Sequence, residues 1–449
     1  MARFFRSRSE STISETPTPK IPPRVIFFIF FKWIGIGIVV AALGLFLYEV
    51  IEDGKIAESV ANDSDKVVEI NKTMITGYRD LVMSWKMEAD HIWTGRNRFL
   101  FRGELVKNGS VYDSSGKLVI GEITASEVMV NSRTRTVTVS RGVLAALMRR
   151  SGENTDPIKI DAGELRYFEI SSKAYLSNHV ILHNKSAEAV ANDVTVDTET
   201  NIADINGAFQ VTANEFLVKS DQMRIFIDDG AAELQHNVKG FRRGAIVLSR
   251  AMDERERILK SLDTTLRADY LRYQEVSGNK KVRIQGNIKL EQADKLLMGD
   301  TAHYDRNADE FIIEGNVKLT AANLNWAFRS GQLGTMGNKE IKEVVSNSLI
   351  LIADKMLFYG GNKRSFRISG NITMIQPGKI LTCQICEYDD QTQKMTFSGG
   401  VRVLKNNTEK LTANRLILDI KNETFSADDR IVGEFNIDRK PAVKGPQPQ

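Results

Sequence analysis

The sequence predicts an all-β protein in which antiparallel strand pairs stack into one elongated array, preceded by a single transmembrane helix. Three observations carry this. A strand phrase built around a Gly-Asn pair recurs along the chain, several recurrences fall at one fixed interval, and an apolar run near the N-terminus is long enough to cross a bilayer. The clearest copy is Phe311-Ile312-Ile313-Glu314-Gly315-Asn316-Val317-Lys318-Leu319, where Phe311, Ile313, Val317 and Leu319 share one face. Strong copies also place Val282, Ile284, Ile288 and Leu290 around Gly286-Asn287, and Phe366, Ile368, Ile372 and Met374 around Gly370-Asn371. In the last, Met395, Phe397, Val401 and Val403 flank Gly399-Gly400. Weaker copies start at Val137, Ala174, Ala203 and Ala232. The steps 174→203→232, 282→311 and 366→395 are equal, at 29 residues.

A second phrase precedes each copy and reads as the start of a strand, opening on Ala162, Ala191, Ala268, Ala353 or Ala413. Between the phrases sit Asp305-Arg-Asn307, Gly360-Gly-Asn362, Asp389-Asp-Gln391 and Lys421-Asn422, residues that favour turns. Each unit therefore reads as two short antiparallel strands joined by a polar turn.

In chain order, residues 1–24 are polar, basic and Ser/Thr/Pro-rich, which predicts a disordered cytoplasmic tail. Residues 25–48 are apolar apart from Lys32 and predict a transmembrane helix. The basic flank before it and Glu49, Glu52 and Asp53 after it place the N-terminus in the cytoplasm and the bulk of the chain across the inner membrane. A β domain is expected over 49–245. Within it, Ile56 to Ile75 reads as a helical or loose connector and the first strand begins near Phe99-Leu100-Phe101. A hairpin follows around Asp113-Ser-Ser-Gly116. Residues 246–265 form a charged helical insertion or hinge, and the strong repeats occupy 266–436, interrupted around Gly331 to Ser346. Residues 437–449 read as a disordered tail.

Composition narrows the function. Lys+Arg 61 against Asp+Glu 57 leaves a net charge of +4, with no basic face to bind nucleic acid. The two cysteines provide no disulfide framework. Cys383-x-x-Cys386 lies in strand-like sequence, where residues three apart face opposite ways, so it reads as a pair of unremarkable thiols. His179 and His183 could share a strand face but read as surface residues. Asp228-Asp229 and Asp428-Asp429 read as turn carboxylates. No metal site, cofactor site or catalytic cluster is expected.

The copies around Gly286-Asn-Ile, Gly315-Asn-Val, Gly370-Asn-Ile and Gly399-Gly-Val, with their Ala-Asp/Asn phrases, resemble the OstA-like repeat of the periplasmic lipopolysaccharide-transport protein LptA. The front of the chain, an apolar anchor followed by weaker strands that include Val111-Tyr-Asp-Ser-Ser-Gly-Lys-Leu, resembles LptC, the membrane-anchored member of the same pathway. Those proteins are separate chains, whereas both patterns lie in this one. The resemblance implies a twisted, open-sided β-jellyroll whose two sheets enclose an apolar groove. It also implies a non-enzymatic conduit that accepts lipopolysaccharide from an inner-membrane ABC transporter and passes it towards the outer membrane. The lipid A acyl chains would then meet Val282, Ile284, Ile288, Leu290, Phe311, Ile313, Val317, Leu319, Phe366, Ile368, Ile372, Met374, Met395, Phe397, Val401 and Val403. Expected partners are the transporter subunits, OstA-like proteins of the same fold, the outer-membrane translocon, and further copies joined end to end. The alternative is a membrane-tethered structural or assembly scaffold with a closed β core and no lipid cargo.

Overall fold

The computed structural model describes residues 66–434, apart from 151–155, 214, 245–256, 258–259, 277, 325–336, 361–363, 407 and 429. The predicted tail, the segment 25–48 and the C-terminal tail lie outside the described residues. Among the described residues no helix is long and apolar enough to cross a membrane. Of the predicted insertion, Arg257, Lys260 and Ser261 are helical, and most of the rest lies outside the described residues.

The described chain is almost wholly antiparallel β. β1 (Val68–Arg79), β2 (Val82–Thr94), β3 (Leu100–Tyr112), β4 (Leu118–Asn131), β5 (Thr136–Leu147) and β6 (Ile158–Phe168) come first. Two kinked passes follow: β7 (Lys173–Ser177) with β8 (Val180–His183), and β9 (Glu188–Ala191) with β10 (Val194–Asp197). Next are β11 (Ile202–Ala213), β12 (Phe216–Phe226), β13 (Ala231–Arg242), β14 (Thr264–Val276), β15 (Asn279–Gln292), β16 (Lys295–Asp305) and β17 (Glu310–Ala321). A helix, α1 (Lys339–Ser346), precedes β18 (Leu349–Tyr359), β19 (Ser365–Gln376), β20 (Lys379–Asp389) and β21 (Lys394–Lys405). β22 (Glu409–Asp419), β23 (Thr424–Asp428) and β24 (Val432–Glu434) end the array.

Each pass pairs with the next, so the chain is one continuous meander. The pairing runs straight through the predicted hinge, where Ala231↔Gln274 to Arg242↔Thr264 join β13 to β14. Most passes are 11 to 14 residues long, longer than the short strands expected. The predicted turns at Asp305, Asp389 and Lys421-Asn422 fall where expected, while 361–362 of the fourth lie outside the described residues. Asp305 and Asp389 each accept the backbone N–H two residues on, and Asp419 accepts that of Asn422. The Asp113 hairpin is present too, with Asp113 Oδ1 accepting the N–H groups of Ser115 and Lys117.

The Gly-Asn pairs are not turns. They sit in the middle of long strands, and both residues have positive φ: Gly315 +78° and Asn316 +46°, Gly370 +79° and Asn371 +44°. Only glycine, and to a lesser degree asparagine, takes this conformation cheaply. Between Thr301↔Glu314 and Met298↔Lys318, three residues of β17 face two of β16, which is a β-bulge. The asparagine side chain then donates to an aspartate on the preceding strand, Asn287 to Asp269, Asn316 to Asp300 and Asn371 to Asp354, at 2.7–2.9 Å. The Ala-Asp phrases are therefore not strand starts. They lie mid-strand and supply the small inward residue and the acceptor opposite each bulge. Where the bulge is Gly399-Gly400, with no amide to satisfy, Gln384 stands in place of the aspartate.

The bulges bend the strands. Turns from opposite ends of the passes are hydrogen-bonded to each other, as Arg79 beside the β1–β2 turn is to Glu199 of the β10–β11 turn. The meander is thus folded over on itself, with the two halves of each pass in two facing layers and the apolar core between them.

Two expectations fail locally, the connector ahead of the first strand and the opposed cysteines, while the expected interruption of the repeats is present. Residues 68–75 belong to β1, and two strands precede the expected first one. The apolar face of β1 is exposed (Val68, Ile70, Met74), and its alternation stops at Lys72-Thr73, too soon to mark the segment as a strand. The interruption before β18 contains α1, which buries Ile341 and Val345 one turn apart. Cys383 and Cys386 both face the core, at 4% and 0% exposure, because the chain bends between them at Gln384. Burial raises the Cys383 thiol to about 11 and holds Cys386 well above the ordinary range. Both are free thiols.

Candidate functional site

Registers from β14 to β23 sort the inward residues into rows that cross the strands. An outer aliphatic row runs Leu266, Leu290, Leu297, Leu319, Leu351, Met374, Leu381, Val403, Leu411, one residue per strand. In the facing layer an outer aromatic row runs Tyr273, Val282, Tyr304, Phe311, Phe358, Phe366, Tyr388, Met395, Leu418, Phe425. Ring centroids of Phe311, Phe358, Phe366 and Tyr388 follow one another at 6.1, 6.2 and 5.3 Å, a ladder of cross-strand aromatic pairs. Two inner rows fill the bend. Beside the bulges, Ala268, Ile288, Gly299, Val317, Ala353, Ile372, Cys383, Val401 and Ala413 alternate small with branched, as close approach at a corner requires.

All sixteen predicted groove positions face inward, but they divide by depth. Ile313, Val317, Ile372 and Val401 at the bend are at most 1% exposed and are packed core. Val282, Ile284, Leu290, Phe311, Phe366 and Val403 are half-buried. Ile288, Leu319, Ile368, Met374, Met395 and Phe397 are buried between them.

Between the layers towards the C-terminal end lies a cavity of about 390 Å³. Met374, Met395, Phe397 and Val403 line it, with Leu324, Val344, Leu349, Leu381, Leu411, Leu416, Leu418 and Phe425, which sequence reasoning missed. Half of these were within reach of the sequence, since extending each row to the partner strand finds Leu381, Leu411, Leu416 and Leu418. Val344 comes from α1 and had no strand signal. The rim is basic: Lys379, Lys405 and Lys410, with Gln376 and Glu409. Lys379 pairs with Glu343 at 3.6 Å and Lys405 with Glu409 at 3.7 Å, while Lys410 is exposed. Phe425 is 42% exposed, so the lining reaches the surface. Beside it, Glu423 ties the two lips together by accepting the N–H groups of Gly337 and Asn338 at the start of α1, at 3.1 and 2.6 Å.

The first half of the array is closed differently. β5 and β6 bury Val137, Val139, Val143, Leu147, Ile160, Leu165 and Tyr167, whereas β14 and β15 bury Ala268 and Ile288. Across the lips of this half runs a polar seam. The Arg150 guanidinium donates from Nε to Asp228 at 2.9 Å, and from Nη1 to Asp113 at 3.0 Å and the Glu199 carbonyl at 2.8 Å. Asn201 donates to Asp228 and to the Met148 carbonyl, at 2.7 and 3.0 Å. Glu199 accepts from Arg79 and from the Ser114 N–H and hydroxyl. Burial works against the charge on Glu199, but Ser114 and Arg79 outweigh it and draw the carboxyl down to about 2. Asp113 and Asp228 are lowered in the same way, burial being outweighed by hydrogen bonds that include those from Arg150.

Other candidates contribute no further site. His179 lies exposed in the kink ahead of β8 and His183 ends that strand half-buried. Asp228 is a turn carboxylate as expected and also a member of the seam. Asp428 ends β23, and Asp429 lies outside the described residues.

No family model matches this chain. No curated protein matches it by sequence. Among solved structures, the matches include LptH from Pseudomonas aeruginosa, the LptA-homologous periplasmic component of the conserved lipopolysaccharide transport device. It is 10% identical, over 34% of this chain and 90% of that one, with a TM-score of 0.22.

Proposed function

We propose that this chain is an inner-membrane-anchored periplasmic conduit for an acylated anionic lipid, lipopolysaccharide in the first instance. Residues 25–48 would anchor it, with the β-array in the periplasm. ABC-transporter subunits would supply cargo, and OstA-like proteins, the outer-membrane translocon or another copy would receive it. The observation that carries the reading is the cavity, with apolar walls from both outer rows and a rim holding Lys379, Lys405 and Lys410. Each methylene moved from water into such walls contributes about 0.8 kcal/mol, while lysines at the mouth attract phosphate. Nothing in this needs a reactive group; movement along the rows exchanges one apolar neighbour for a similar one.

A tethered scaffold with a closed core is the second reading. It draws support from the tight packing of β5 and β6. In-cell photo-crosslinking decides between them, with a photoreactive residue at Leu381, Val403 or Leu411 and outward-facing Lys318 as control. Lipopolysaccharide adducts at the inward positions alone support the conduit. Folded protein without adducts at any of them leaves the scaffold.

A further inference from the structure

We propose that the two halves of the β-array divide the work: the half up to β12 is locked shut by the polar seam, and only the half from β14 onward admits an acyl chain. This rests on the conduit reading for its ligand but not for its geometry. An apolar groove is accessible only where the lips can part. In the first half the lips are joined by charged groups at several levels, with Arg79 and Arg150 each bridging turns from both ends of the strands. Arg150 and Asp113 are 18% and 4% exposed, so the pair is largely shielded from water while the lips are together. Opening the lips has to break several of these charge-assisted hydrogen bonds together, so the seam opens rarely.

Packing agrees. Leu165 and Tyr167, in the last part of β6, are wholly buried. Beyond the seam, burial dips at β14 and β15, where Ala268 and Ile288 are the buried apolar residues, before it returns from β16 onward. Leu266, Leu271, Ile284 and Leu290 are half-buried, and the next crossing bonds described are those of Glu423. The tier formed by β14 and β15 is therefore where the array changes from closed to accessible, and where a ligand would first reach the rows.

Two measurements on the full-length protein test this. Hydrogen exchange in the wild type compares amides of β5–β7 with those of β14 and β15. The proposal expects the first set to exchange about a hundredfold more slowly, and Arg150→Ala or Glu199→Gln to erase most of that difference. Photo-crosslinking to lipopolysaccharide compares Leu165 and Leu176 with Leu381 and Leu411. Adducts are expected only at the second pair, and at unchanged yield in Arg150→Ala. Equal exchange in the two sets, or adducts at Leu165 or Leu176 matching those at Leu411, overturns the division. Absence of adducts everywhere removes the conduit reading, and the exchange comparison then decides the seam alone.

Discussion

Val403→Trp tests whether the cavity is a chain site. Val403 stands in the outer aliphatic row between Leu381 and Leu411, half-buried, and lines the cavity. At about 30 Å³ for a water-sized group, 390 Å³ holds about 13 such groups, roughly one acyl chain of a dozen carbons. The indole adds about seven heavy atoms to the valine side chain and so takes about half of that space. Excluding six methylenes at about 0.8 kcal/mol each forfeits about 5 kcal/mol if nothing relaxes. The chain can retract and the lips can shift, so about half of that is expected, some 2–3 kcal/mol, or roughly 30- to 150-fold weaker binding. The assay is displacement of a fluorescent twelve-carbon anionic amphiphile from purified full-length protein, with circular dichroism confirming the fold. Affinity within threefold of wild type in a correctly folded variant would refute the placement of the chain.

The remaining predictions address the bulges, the seam and the thiols. Gly370→Ala puts a Cβ on a residue at φ +79° and into Asp354, so it should cost about 2–4 kcal/mol in denaturant unfolding, with Asp354→Gly restoring part of it. Glu199, drawn from 4.5 to about 2, stabilises the folded state fully above about pH 4.5 and loses that contribution as pH falls through 2. At 35% exposure this amounts to about 1–2 kcal/mol after screening, and Glu199→Gln should flatten the acid limb of the stability curve; an unaltered limb contradicts the seam. Cys383 and Cys386, buried with raised pKa values, should resist iodoacetamide at pH 8 in the folded protein and react once it is unfolded.

Much of the second half was legible because its determinants are local. A bulge that needs two residues at positive φ leaves Gly-Asn in the sequence, and period-two alternation around it reveals the inward face. The same dipeptide also marks hairpin turns, which is why sequence alone does not say whether the chain reverses or bends there. The partner strand removes the ambiguity. The Asp269, Asp300 and Asp354 acceptors are intelligible only once their strands are paired with the next. The Cys383–Cys386 orientation follows the same logic, since alternation counting fails across a bend. The seam was out of reach. Arg79 and Glu199 lie 120 residues apart, and Arg150 and Asp228 lie 78 apart, with no spacing to connect them. α1 left no strand signal, yet it contributes Val344 to the cavity and holds its lip through Glu423.

Native mass spectrometry of the full-length protein, released gently from envelopes, tests the central claim most directly. The account predicts that the wild type retains an acylated lipid as a discrete added mass, and that Val403→Trp loses most of it while remaining folded. Bare protein mass in both, or equal lipid retention in both, would contradict it.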